Sequence, residues 1–175
     1  MDSTISRKEF YQGAMYNGTL LGVAWSIMHL LLFAGTKSSI ALSFCVALFF
    51  ASPFIATKLA INFRRKECDN TMSYLQAWIF TFYMYICATL LSALVTYIFF
   101  RFIDGGTFFM TVQGMLDETM KIAGTDEQLI QQIEQTKTLL NQITTREFVW
   151  QLMNNNLFNA TFLPLVLALF IKKTK

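Results

Sequence analysis

The chain has 175 residues, 54% of them hydrophobic and 14% charged, with a formal net charge of +3 and a mean hydropathy of +0.44. Soluble globular domains carry roughly 25% charged residues, so this composition cannot clothe a water-facing surface that must also hide 18 Phe, 6 Tyr and 3 Trp. It excludes a soluble enzyme, a disordered tail, a disulfide-stapled secreted module and a basic nucleic-acid binder, and leaves a bilayer as the solvent for most of the chain.

The first apolar stretch runs from about Gly13 to Ala34. About 20 helical residues cross the ~30 Å of bilayer hydrocarbon, so this is a transmembrane helix. Arg7 and Lys8 precede it as in a signal peptide, but its core exceeds that of a leader and no A-x-A site follows, so it is expected to stay attached. The second stretch, from about Ser39 to Ala60, follows a link of only Gly35 to Ser38 and is the antiparallel partner of the first. The third, Tyr74 to Phe100, contains neither Gly nor Pro and can span with tilt. The fourth is apolar only from Leu157 to Ile171, so it must recruit the more polar turns from Phe148 onward. Thr144 with Glu147 three residues later reads as a capping box that starts it, and Lys172 and Lys173 stop it at the headgroups.

Between the third and fourth spans, Arg101 to Thr145 holds most of the acidic charge. Gly105-Gly106 breaks the preceding helix. Phe108, Val112, Met115, Leu116 and Met120 then recur at helical spacing, with Asp117, Glu118 and Lys121 on the other face. Ala123-Gly124 ends that helix, and Thr125 with Gln128 forms a second capping box ahead of Leu129, Ile133, Leu140 and Ile143, a heptad-like seam. The two amphipathic helices form a hairpin, with Phe108, Phe109 and Met110 placed to dip into the headgroup region. A docking surface for another protein is the alternative use of the same faces.

Lys and Arg concentrate on cytoplasmic loops. With four spans, the N-terminal tail, the loop holding Lys58, Arg64, Arg65 and Lys66, and the C-terminal lysines share one side, with nine of the 14 basic and four of the 11 acidic residues. Both termini are therefore expected in the cytoplasm and the hairpin outside it.

The chemical inventory is thin. No Asp or Glu lies inside a span, and Lys58 can snorkel, which argues against a proton-coupled pump. His29 is the single histidine, so no His-based triad or HExxH motif can form, and no GxxxxGK[ST] or GxGxxG motif occurs. Asp117 and Glu118 are adjacent and face different directions. Cys45, Cys68 and Cys87 form no CxxC pair and read as free thiols. We expect no catalytic residue, no cofactor, no metal and no nucleic-acid partner.

Small residues are more informative. Ala14, Gly18, Gly22 and Ser26 recur every four residues in the first span, as do Ser43, Ala47 and Ala51 in the second and Ala88, Ser92 and Thr96 in the third. Such seams let helices approach closely. Packing inside the bundle is their expected use, and homodimerisation through the first span is the other. His29 is level with Asn155 and Asn159 near the outer end of the fourth span, where a shared outer polar pocket competes with simple wetting of an interfacial helix end. Asn17 is expected to bond a neighbouring helix. The only prolines, Pro53 and Pro164, fall within spans and can kink them.

The Asn17-Gly18 region, Met72-Ser73-Tyr74-Leu75-Gln76-Ala77 where the third span begins, Tyr97-Ile98-Phe99-Phe100-Arg101-Phe102-Ile103-Asp104 where it ends, and the turn Ala123-Gly124-Thr125-Asp126-Glu127-Gln128 resemble the domain of unknown function 4199 family of bacterial inner-membrane proteins. The resemblance covers most of the chain and implies a multi-pass inner-membrane location; it supplies no substrate and no active residues. It also removes the reading of Lys172-Lys173-Thr174-Lys175 as a eukaryotic retrieval signal.

The expected architecture is an all-α membrane protein of one domain over residues 1–175. Four transmembrane helices, at about 13–34, 39–60, 74–100 and 148–171, form an antiparallel bundle, with an amphipathic hairpin at about 105–145. The expected role is a non-enzymatic scaffold or accessory subunit whose partners are membrane lipid, a second copy or another membrane protein, met through the first span or the hairpin. A small carrier for a neutral solute is the alternative, and a water-accessible path along Tyr83, Thr89, Ser92, Thr96 and Asn155 would mark it.

Overall fold

The computed structural model describes residues 5–124 and 126–174, which form an all-helical chain. Helix α1 (Arg7–Gly35) starts in the polar tail because Ser6 and Glu9 cap it reciprocally: the Ser6 N–H donates to Glu9 Oε2 at 3.0 Å and the Glu9 N–H to Ser6 Oγ at 3.3 Å. It thus begins well before the apolar stretch at Gly13. Helix α2 (Ser39–Glu67) is capped by Ser38 and likewise outlasts its apolar run, with Arg64, Arg65 and Lys66 in the last turn, where the helix dipole favours cations. Helix α3 (Tyr74–Ile98) opens on a Ser73–Gln76 capping box and passes into a π-helical segment, Phe99–Asp104. Helix α6 (Thr145–Ile171) opens on the Thr144–Glu147 box expected from sequence. Capping by short polar side chains moves helix starts beyond the hydropathic windows.

The long helices run alternately up and down, with α3 in the middle: it packs along α1 on one side and along α6 on the other, while α2 leans mainly on α1. The small-residue seam of α1 makes the α1–α3 approach. A Cβ placed on Gly18 would lie 2.6 Å from the Met84 carbonyl oxygen, and one on Gly22 3.0 Å from the Ala88 Cα, so only glycine allows these backbones to come so near. Leu21, Phe80, Met84 and Tyr85 are fully buried around that contact, and Phe63 stacks on Phe80 with ring centroids 4.5 Å apart. Within the apolar stretches of the four long helices most outward positions, among them Phe44, Phe54 and Phe170, are large and apolar, the pattern expected of a surface solvated by lipid.

Each end of the bundle is closed differently. At the basic end the strand-like backbones of Met72 and Lys173 bond reciprocally, at 2.8 and 2.9 Å, and the buried Arg64 guanidinium donates to the Ile171 carbonyl at the α6 C-terminus. Tyr74 adds a bond from its hydroxyl to the Leu165 carbonyl at 3.1 Å. At the opposite end Phe33, Phe99, Phe100, Phe108, Phe109 and Phe148 form one aromatic cluster that joins α1, the π segment, the start of the next helix, α4 (Thr107–Ile122), and α6. Gly105 and Gly106 adopt positive φ of 56° and 86°, turning the chain sharply, and the Asp104 carboxylate then accepts from the Phe108 N–H at 3.0 Å.

Helices α4 (Thr107–Ile122) and α5 (Glu127–Gln142) are the expected hairpin. Gln113 donates to Asn141 at 2.7 Å, Lys137 pairs with Asp117, and Ile133 is buried between them. The expected heptad seam is only partly used: Leu140 and Ile143 are half-buried and Leu129 is exposed. Phe108 and Phe109 turn into the aromatic cluster, while Met110 stays exposed. The expected Thr125–Gln128 box falls on Thr125, outside the described residues; Asp126 caps α5, accepting from the Leu129 N–H at 3.1 Å.

Candidate functional site

The polar residues singled out from sequence separate into three groups. Ala14, Gly18, Gly22 and Ser26 of α1 and Ala88, Ser92 and Thr96 of α3 are all buried, with Gly18 and Gly22 set against Met84, Cys87, Ala88 and Leu91 of α3. The α2 seam is different. Ser43 and Ala47 face outward and Ala51 is half-buried; the residues α2 buries are Cys45, Ser52, Ala56 and Ala60. A stripe of small residues therefore marks the packed face in α1 and α3 but not in α2, whose contact with α1 is set by its other side.

His29 pairs across the α1–α3 contact, with Nδ1 3.1 Å from Thr96 Oγ1 in a buried setting beside Phe33. Asn155 and Asn159 are exposed on α6, and among the described residues neither bonds His29. The structure thus does not bring together the outer cluster of His29, Asn155 and Asn159. The five residues of the expected solute path do not converge either. Thr89, Ser92 and Thr96 are buried in the bundle, Tyr83 is 40% exposed, and Asn155 faces outward. Asn17 uses its amide locally, donating to the Gly13 carbonyl at 2.8 Å. The three cysteines are free thiols, and at Cys68, beyond the end of α2, burial and the carboxylates of Glu67 and Asp69 push the thiol up from its ordinary value.

What the structure does assemble is a cleft that sequence spacing did not foresee. Near the middle of the bundle, where α2 and α6 touch little, a cavity of about 370 Å³ opens between them. Its floor is Trp25 of α1 and Tyr85 of α3, packed edge to face with centroids 5.3 Å apart. Phe49, Phe50 and Phe54 form the α2 wall, and Asn156 and Asn159 line the α6 side. The Trp25 indole N–H donates to Ser52 Oγ at 2.6 Å, tying α1 to α2 beneath the opening. Pro53 has no N–H, so the Phe49 carbonyl on the cleft wall loses its helical donor. The Tyr85 hydroxyl is buried with no hydrogen-bond partner, and neither asparagine amide is bonded among the described residues. No charged residue lines the cleft. Among the described residues no three His, Cys, Asp or Glu side chains come together as a metal ion would require.

Four helices of 27 to 31 residues, each apolar enough to cross a bilayer, define a multi-pass helical membrane protein with a short hairpin between its third and fourth spans. A family model described as "Protein of unknown function (DUF4199)" matches residues 16–173, nearly the whole chain, and the protein belongs to that family. No curated protein and no solved structure matches it.

Proposed function

We propose that the protein is a non-enzymatic component of the bacterial inner membrane that holds membrane lipid or a lipid-like molecule in its side. Both termini lie in the cytoplasm and the α4–α5 hairpin outside. The observation that carries this reading is the cleft between α2 and α6. Near the middle of the bundle it opens the interior to the lipid-facing surface, whereas around Gly18 and Gly22 the α1–α3 contact is closed by backbone and side chains. A carrier needs a route from one face to the other, and Thr89, Ser92 and Thr96, which would line it, are instead buried in the packed bundle. The same burial of Gly18 and Gly22 against α3 favours internal packing over a homodimer through the first span. The orientation rests on the nine basic residues that four crossings assign to the side of the two chain ends and the α2–α3 loop.

Reconstitution separates this reading from the carrier. Vesicles containing the purified protein, shifted into a gradient of glycerol or glucose, should swell at the rate of protein-free vesicles. Swelling several times faster would replace the binding role with transport.

A further inference from the structure

The cleft carries a more specific inference, which rests on the lipid-binding reading above. We infer that it binds a neutral membrane-dissolved molecule with a flat, oxygen-bearing ring and an aliphatic tail, of the quinone or phenol class, with the ring oxygens on Tyr85, Asn156 and Asn159.

Depth is the first argument. Tyr85 lies eleven residues beyond the start of α3, or ~17 Å along the helix axis, about halfway through a hydrocarbon layer of ~30 Å. A phosphate headgroup cannot follow its chains there, and no Lys or Arg lines the cleft to receive one. An uncharged ligand is required.

Hydrogen bonding is the second argument. In hydrocarbon an unmet polar group costs several kcal/mol because no water is at hand. Yet the Tyr85 hydroxyl, fully buried, has no partner, the Asn156 and Asn159 amides on the α6 side make no hydrogen bond among the described residues, and Pro53 leaves the carbonyl of Phe49, a residue of the cleft wall, without its helical donor. An ordinary acyl chain would satisfy none of these. A ring carrying carbonyl or hydroxyl oxygens accepts from Tyr85 and the amide N–H groups and, where it bears a hydroxyl, donates to an amide or backbone oxygen.

Shape is the third argument. Five aromatic rings, from Trp25, Phe49, Phe50, Phe54 and Tyr85, bound a volume of about 370 Å³, which suits a one- or two-ring head offered faces and edges to pack against. The opening is lateral, between the exposed Phe50 and Phe54 rings and Asn159, so a tail can remain in the bilayer while the head is held.

Trp25 in the cleft floor provides the readout. The full-length protein with Trp78→Phe and Trp150→Phe retains it as the single fluorophore; titration with decylubiquinone should quench it saturably. Trp150, 59% exposed, kept alone in a parallel variant, reports collisional quenching. Tyr85→Phe removes a hydroxyl the fold does not use, and Asn159→Leu changes an exposed position, so both leave the bundle intact. Each should weaken binding about five- to tenfold, the loss of one buried hydrogen bond. Quenching that is linear, or saturable but unchanged in both variants, overturns the inference. Phosphatidylcholine with brominated chains distinguishes the two levels. Quenching of Trp25 by that lipid without saturable decylubiquinone binding leaves the lipid-binding role and removes the ring ligand, while no quenching by either removes both.

Discussion

Gly18 is a position where one added carbon atom would strike the backbone of a neighbouring helix. A Cβ there would meet backbone, the Met84 carbonyl oxygen at 2.6 Å, and not the pliable end of a side chain. Gly18→Val should therefore push α1 and α3 apart and cost about 1–3 kcal/mol, read as a lower midpoint of thermal unfolding in detergent. Gly114 is the control: nothing lies within 4 Å of its Cβ position on α4, and Gly114→Ala should stabilise by about 0.5–1 kcal/mol through helix propensity. A midpoint unchanged by Gly18→Val would show that the helices are not in the close contact described. Cys68 gives a pH-dependent check. Its raised pKa leaves less thiolate at neutral pH. With Cys45 and Cys87 replaced by alanine, its alkylation rate should reach half its maximum above pH ~8.5, the midpoint of an ordinary thiol; a midpoint at or below that pH would contradict the burial.

At the scale of elements, the caps and the hairpin contact make separate contributions. Thr144→Ala removes the acceptor for the Glu147 N–H and should cost about 1 kcal/mol, seen as faster amide exchange confined to the first turn of α6. In the hairpin, Ile133→Ala should cost about 2 kcal/mol or more and loosen α5 along its length. Lys137→Ala, which breaks a partly exposed ion pair with Asp117, should cost less than about 1 kcal/mol. The reverse ranking would mean that charge holds the hairpin together in place of burial. The existence and order of these elements could be read from sequence, since span length is dictated by the bilayer and the Thr144–Glu147 spacing is a direct capping signal. The same signal stands at Ser6–Glu9 and Ser73–Gln76, and applying it there would have placed the start of α1 correctly. The π segment at Phe99–Asp104 has no comparable signature, because it arises where α3 must bend into the Gly105-Gly106 turn beneath the aromatic cluster.

At the scale of the whole molecule, sequence gives helix directions but not which helices are neighbours. The small-residue seams of α1 and α3 were legible because close approach demands them. The equivalent stripe in α2 misled, since Ser43 and Ala47 face away from the bundle. His29 could be placed by depth, yet its partner Thr96 lies 67 residues away on α3, and nothing local distinguishes Thr96 from the asparagines of α6 at a similar level. The cleft was out of reach for the same reason: it exists because α2 packs on α1 and parts from α6 around Pro53, and each of its residues reads alone as an ordinary lipid-facing or core position.

The account as a whole depends on four crossings with the two chain ends on one side and the hairpin on the other. Alkaline phosphatase inserted at Gly124, in the α4–α5 turn, and green fluorescent protein fused in turn to each end of the full chain report the compartment of all three points in living cells. The account predicts an active phosphatase at Gly124 and fluorescence from both terminal fusions. Fluorescence at one end only, or an inactive phosphatase at Gly124, would contradict it.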